Sequence, residues 1–276
     1  DVDGDGRDEI VYGSMGVDHD GKGMYSTLLM HGDCINVGKF SPDTPGLDCF
    51  QIHEESEAEY GFEAHDPATG EIKWGRYTGR DTTRGLCAKI DPRYRGNQCW
   101  VMDDGLYTMD GELILEKGPE SINFGIWWDG DLLRELLDHE FDPELKAGRP
   151  KIYKWDYENN KLVTICSPEG VLSNNYTKGT PCIQADIIGD WREEAVWRSD
   201  DNTELRVYTT TIPTEYRFYT LMHDSVYRTS VAYQNTAYNQ CTQTGFYIGP
   251  EMDELPIPDN EYVRGEILPE FTEDID

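Results

Sequence analysis

The stretch DVDGDGRDEIVYG, residues 1–13, decides how the chain is to be read. Asp1, Asp3 and Asp5 stand two residues apart, Gly6 permits a sharp turn, and Glu9 closes the set immediately before Ile10, Val11 and Tyr12. Hard divalent cations take oxygen ligands of this kind, with carboxylates at alternate loop positions, a backbone carbonyl at position 7 and a closing carboxylate. In the helical EF-hand the last ligand falls at loop position 12. A carboxylate at position 9 followed at once by β-formers predicts instead a calcium loop that leads into a strand. The alternative is an acidic surface turn without metal, since aspartate and glycine are common in turns.

The same frame recurs. SPDTPGLDCFQI from Ser41, DPRYRGNQCWVM from Asp91, WWDGDLLRELL from Trp127 and DIIGDWREEAVW from Asp186 each give a loop of about nine residues ending in an apolar strand. Position 9 then reads Glu9, Cys49, Cys99, Glu135 and Glu194, and the starts at 1, 41, 91, 127 and 186 are 40, 50, 36 and 59 residues apart. Spacings of this size suit four-stranded propeller blades. Turn signals follow each loop at DHDGKG (from Asp18), DPATG (from Asp66), Asp110-Gly111, Asn159-Asn160 and Asp200-Asp201-Asn202. Their flanks, such as YGFEAH, IKWG, KIYKWDY, KLVTIC and LRVYTTT, are rich in β-branched and aromatic residues. DLLRELLDHEF has apolar spacing that would also suit a helix, but the repeat makes it a strand. The chain therefore reads as all-β, a partial β-propeller over residues 1–250, with an acidic, proline-containing linker or tail over residues 251–276.

The chain has 276 residues, enough for a large core, and a formal net charge of -30 from 24 basic and 54 acidic residues. That charge argues against nucleic acid and anionic membranes as partners, and it suggests that bound cations neutralise some carboxylates. Seven cysteines, none in a CxxC pair, indicate neither a zinc site nor a disulfide framework. No apolar run is long enough to span a bilayer and no signal peptide is evident. The chain opens inside a motif without methionine, so a fragment or processed form is expected.

Polar stretches that interrupt the strand rhythm are the candidate ligand sites. They are DTTRGL around Arg84; SNNYTKGTP, with Asn175, Tyr176, Thr177 and Lys178; QNTAYNQ, with Asn235, Ala237 and Asn239; and three histidine stretches, HGD (His31, Asp33), IHEE (His53, Glu54) and EAHD (Glu63, His65). The ligands expected for calcium are Asp1, Asp3, Asp5, Glu9, Asp18, Asp20, His31, Asp33, His53 and Glu54. Each stretch also has a plainer reading. Asn175-Tyr176-Thr177 is a glycosylation sequon, a lone lysine is ordinarily solvated and inert, and Arg84 could serve as a structural donor.

GSMGVDHDGKGMYST, LMHGDCINVG, WGRYTGRDTTRGLCAKIDPRY, NFGIWWDGDLLREL, TPCIQADIIGDWREEAVWR and YTLMHDSVYRTSVAYQNTAYNQ together closely resemble the rhamnogalacturonan lyases of polysaccharide lyase family 11, from residue 1 to about Gly249. The resemblance implies an eight-bladed, calcium-rich propeller, of which this chain would hold about the last five blades, cleaving the rhamnose-galacturonate backbone of pectin by calcium-assisted β-elimination. It implies Lys178 as base and Arg84 as its partner near the substrate carboxylate. Asn175, Tyr176 and Thr177 would form one substrate loop, and Asn235, Ala237 and Asn239 a second. The sequence departs from the family where Tyr176 replaces a usual glycine and where Cys241 and Thr242 replace prolines. A secreted or cell-surface bacterial monomer, within a larger multimodular chain and acting on rhamnogalacturonan I, is the corresponding expectation. The rival is a non-catalytic calcium propeller that binds carbohydrate or mediates adhesion.

Overall fold

A computed structural model describes residues 1–236, 240–252, 254–255 and 257–258. The backbone forms five antiparallel sheets in chain order. The first holds β1 (Ile10–Tyr12), β2 (Met15–Val17) and β3 (Gly23–Ser26). The second is the meander β4 (Cys34–Gly38), β5 (Asp48–Ile52), β6 (Phe62–His65) and β7 (Ile72–Arg76). The third runs through β8 (Gly85–Ala88), β9 (Gln98–Val101), β10 (Leu106–Thr108) and β11 (Leu113–Leu115). The fourth comprises β12 (Phe124–Ile126), β13 (Glu135–Asp142), β14 (Ala147–Asp156) and β15 (Lys161–Cys166). In the fifth, β18 (Glu194–Ser199) pairs with β17 (Ile183–Ala185) and, further along, with β16 (Val171–Leu172), while β19 (Leu205–Tyr208) pairs with the same strand. DLLRELLDHEF is thus a strand from Glu135 onward, and all five turn signals connect the strands that the sequence assigns to them.

Consecutive sheets pack through shared cores, and period-two alternation explains how one strand serves two of them. Cys87, Cys99 and Val101 face Phe50, Ile52, Phe62 and Ala64 of the second sheet. Their neighbours Leu86, Ala88 and Trp100 face Leu136 and Trp155 of the fourth. Leu137 and Ile152 in turn meet Ala195 and Trp197 of the fifth. Burial on both faces gives β5, β8 and β9 their unbroken buried pattern.

The frame loops over residues 41–48, 91–98 and 127–135 join the first strand of a sheet to its second, that over residues 186–194 joins β17 to β18 and that over residues 1–9 leads into β1; a side chain folds back over each. Glu9 accepts from Val2 N, Asp48 from Phe40 N and Ser41 N, and Gln98 from Ile90 N and Asp91 N. Glu135 accepts from Trp128 N and Asp129 N, and Glu194 from Ile187 N and Ile188 N. This corrects the sequence register in two copies. Cys49 and Cys99 do not close their loops; they are fully buried strand residues, and Asp48 and Gln98, one residue earlier, take the closing position.

Two features were not anticipated. The segment DSVYRTSVAY folds as α1 (Ser225–Tyr233), with Asp224 as its N-cap accepting from Tyr227 N. After it, residues 240–244 run against one strand in each of four sheets, β4, β8, β12 and β17. Gln240 accepts from Ile35 N, Gln243 donates to Asn36 Oδ1 and to the Cys87 carbonyl, Cys241 Sγ accepts from Gly125 N, and Gln184 Nε2 lies 3.2 Å from Thr242 Oγ1. Arg134, buried over the Trp127 ring, donates to Gln243 and Thr242. Gln243→Ala should therefore remove a hydrogen bond from each of three buried groups, Asn36, the Cys87 carbonyl and Arg134, and cost about 2–3 kcal/mol in thermal or denaturant unfolding. An unchanged stability would show that this segment is not a shared core element.

Candidate active site

The residues immediately before the first strands gather at the end opposite the frame loops. His31 and Asp33 precede β4, Arg84 precedes β8, Ser121 and Asn123 precede β12, and the 3-10 turn Tyr176–Lys178 precedes β17. Asn174 and Thr180 close the turn's base with a pair of backbone hydrogen bonds, and Lys178 N donates to Asn175 O. Asn175 (φ 59°) and Tyr176 (φ 56°) are both left-handed, as is Gly179. Asn tolerates that region, whereas an aromatic residue there stores strain of about 1–3 kcal/mol. Tyr176 is held by an edge contact to Phe141, with ring centroids 4.7 Å apart. The substitution of tyrosine for glycine thus keeps the conformation a glycine would favour.

Arg84 reaches this turn from the third sheet. Its side chain is buried, Nη2 donates to the Thr177 carbonyl at 3.4 Å, and Nε and Nη1 are buried with no hydrogen-bond partner. Burial lowers the hold of Arg84 on its proton, with Asp138 the foremost charge opposing that trend. Two unsatisfied guanidinium donors in an interior are costly unless an anion completes them.

The floor under the turn is made by Asp138 and His139 of β13. Asp138 accepts from Asn123 Nδ2 (2.5 Å), Ser121 Oγ (3.1 Å), Ile122 N and His139 N. His139 pairs with Ser173 Oγ through Nδ1 at 2.7 Å and hydrogen-bonds the Thr177 backbone. Burial pushes its imidazole down, more than Asp138 raises it. A neutral ring therefore supports the Thr177 carbonyl from one side while Arg84 holds it from another. Gly179 packs closely on Asn123, Asp138 and His139, so a Cβ there would sit 3.2 Å from two of them. None of these floor residues was singled out from the sequence. They lie within a strand, and only the pairing of β13 with β12 and β14 brings them beneath a loop about 40 residues away.

Asn235 donates to the carbonyls of Cys182 and Pro181, clamping the chain that follows the lysine turn. Ala237 and Asn239 lie outside the described residues.

The expected cation ligands fall into two groups. His31, Asp33 and Glu54 gather with ligand atoms within 4.8 Å of one another, and Asp33 Oδ1 is buried without a hydrogen-bond partner. Gly32 lies so near the Ile52 carbonyl (1.9 Å to a built Cβ) that no side chain fits between the two ligands. His53 is not part of this group. It is fully buried 3.5 Å from Glu63, which also accepts from His65 at 2.9 Å. Burial works to raise the Glu63 carboxyl, but these two imidazoles outweigh it and hold it below the usual carboxylate range. In the first loop Asp1, Asp3 and Asp5 cluster, and Asp5 and Glu9 also converge with His19; Glu9 Oε1 is buried and unpartnered. Asp18 stands 2.7 Å from His19 of that group, its Oδ1 buried without a hydrogen-bond partner, whereas Asp20 turns aside to Lys22 (2.5 Å). An oxygen-rich donor set with an orphaned carboxylate oxygen suits a hard cation in both groups.

Comparison with known proteins supplies a family, two relatives and two solved structures. The family described as "Rhamnogalacturonan lyase family 11, C-terminal domain" matches residues 1–258. "Rhamnogalacturonan exolyase YesX" of Bacillus subtilis (strain 168) is 55% identical over 266 residues, covering 94% of this chain and 43% of its own length. "Rhamnogalacturonan endolyase YesW" of the same organism is 54% identical over 258 residues, covering 94% and 40%. The solved structure of YesX superposes with a TM-score of 0.90, covering 94% of this chain and 44% of the other. That of a Bacillus licheniformis rhamnogalacturonan lyase does so with 0.86 at 54% identity, covering 93% and 42%. The chain spans less than half the length of these relatives.

Proposed function

The chain belongs to rhamnogalacturonan lyase family 11, and from that premise we propose that it forms the C-terminal part of a secreted lyase that cleaves rhamnogalacturonan I by β-elimination. The sheets are read as about the last five blades of an eight-bladed propeller. Five antiparallel sheets in chain order, cores shared between consecutive sheets from the second to the fifth, and a segment that touches one strand in each of four sheets support that reading.

β-Elimination removes the C5 proton of a galacturonate, forms the C4–C5 double bond and expels the C4 oxygen with the rhamnose it carries. The proton is acidic enough only when the adjoining carboxylate is neutralised. Arg84 offers two donors for that carboxylate, and Lys178, the residue after the Nη2 contact at Thr177, takes the proton as base. His31, Asp33 and Glu54 would hold a calcium ion whose charge adds to that of Arg84 on the carboxylate. Asn175, Tyr176, Thr177 and Asn235 orient the neutral sugar hydroxyls. The observation that carries the reading is the hydrogen bond from Arg84 to Thr177, which joins the carboxylate-binding group to the lysine turn across 93 residues of sequence. The full-length protein should convert rhamnogalacturonan into unsaturated, ultraviolet-absorbing oligosaccharides. Saturated products alone would mean hydrolysis instead.

Two further results follow. His139→Ala should lower kcat by about 10- to 100-fold with KM little changed, because the floor of the lysine turn moves while the sugar-binding groups remain. A raised KM with kcat unchanged would assign His139 to binding instead. Removing calcium with a chelator should lower the melting temperature and abolish turnover, since a ligand at about 100 times its Kd contributes about 2.7 kcal/mol. A chelated sample that melts unaltered would contradict the cation seats.

A further inference from the structure

The five frame loops share a backbone plan but not a cation. We propose that in the loop over residues 127–135 the ammonium of Lys154 occupies the seat that a divalent cation takes in the first loop, so that this strut is closed by protein alone. Counting back from the closing residues, Glu9 and Glu135, pairs Asp3 and Asp5 in sequence with Asp129 and Asp131. The three carboxylates of the later loop converge with ligand atoms within 4.8 Å, as a cation seat requires. Lys154 Nζ lies at their centre, 2.7 Å from Asp129, 2.7 Å from Asp131 and 2.6 Å from Glu135. An ammonium has three N–H donors, and each is satisfied by one carboxylate. The lysine is a residue of β14, hydrogen-bonded beside β13, so its stem is fixed by the sheet. Burial works against its charge, but Glu135, Asp129 and Asp131 together hold it above the ordinary lysine range.

The first loop differs at the same place. Asp1, Asp3 and Asp5 accept backbone N–H donors, and among the described residues no lysine or arginine side chain reaches them. The remaining copies each bring in an internal donor. Lys73 meets Asp48 at 2.8 Å, and Lys39 caps the Thr44 and Gly46 carbonyls. Lys89, which also stands just before its loop, caps the Tyr94 carbonyl of a loop closed by the neutral Gln98. Thr209 donates to Glu194, and Arg192 pairs with Asp190. A divalent ion in the loop over residues 127–135 would need six or more oxygens and would stand within 3 Å of a fixed positive charge. The donor set does not fit it while Lys154 is present.

The test counts bound ions in the full-length protein by terbium titration, read through luminescence sensitised by Trp127 and Trp128, with calcium stoichiometry measured in parallel by calorimetry. In the native background Asp129→Asn should leave the count unchanged. Lys154→Met, shown folded by circular dichroism, should raise it by one and brighten the tryptophan-sensitised signal, because the three carboxylates then lack a counter-charge. A count that falls by one in Asp129→Asn, or that fails to rise in folded Lys154→Met, overturns the proposal; if Lys154→Met does not fold, the Asp129→Asn count decides alone. Asp3→Asn serves as the parallel control. If it too leaves the count unchanged, the calcium reading of the first loop fails while the assignment of Lys154 stands.

Discussion

Lys178→Ala in the full-length enzyme is expected to lower kcat for unsaturated product by about 10³- to 10⁴-fold, with KM within a few-fold of the native value. The turn that presents Lys178 is held at its base by Asn174 and Thr180 and on its flank by Tyr176 against Phe141. Alanine keeps that backbone and removes only the amine. If the lysine acts on a proton whose removal is the difficult step, as proposed, its loss appears in turnover. A variant with native turnover would remove Lys178 from the chemistry and leave the turn as a sugar-binding loop.

The second large effect is expected at Arg84. Arg84→Ala should cost about 10²- to 10³-fold in kcat/KM, the scale seen when one preorganised donor to a developing charge is deleted. Arg84→Lys should recover little. A lysine restores the charge but not the planar fork that addresses both oxygens of a carboxylate while a third nitrogen holds Thr177. Melting curves distinguish this from misfolding, since Arg84 also balances the buried Asp138. Native kcat/KM in Arg84→Ala would mean that the carboxylate is neutralised elsewhere, as by a cation that His31, Asp33 and Glu54 would hold.

The sheets were legible in the sequence because their signals are local. Asp18 to Gly23, Asp66 to Gly70 and Asn159-Asn160 are turns whose residues impose their own geometry, and the flanking β-branched and aromatic runs have no competing periodicity. The register of the frame loops was legible only in three copies. Gly46 and Gly96 stand one position later, relative to the closing residue, than Gly6 does, so aligning the glycines displaced the closing residue onto Cys49 and Cys99. The backbone amides that need an acceptor identify Asp48 and Gln98, and no sequence pattern reports those amides. The same limit applies to the site. Arg84 and Lys178 stand in polar interruptions of the strand rhythm and were visible. Asp138 and His139 sit in an ordinary strand pattern and acquire their roles through pairing with distant strands. His53 shows the reverse, a histidine beside Glu54 in sequence whose alternation on the strand edge points it inward to Glu63.

If two loops from different sheets act as one elimination site, a double-mutant cycle will show their coupling. Initial rates of unsaturated product would be measured for the native enzyme, Arg84→Ala, Lys178→Ala and the double variant. Groups that act as a unit are grossly non-additive, so the double variant should be no slower than the slower single one by more than about 10-fold. A double variant whose loss equals the product of two large single losses would show two independent contributions. Native rates in either single variant would contradict the site altogether.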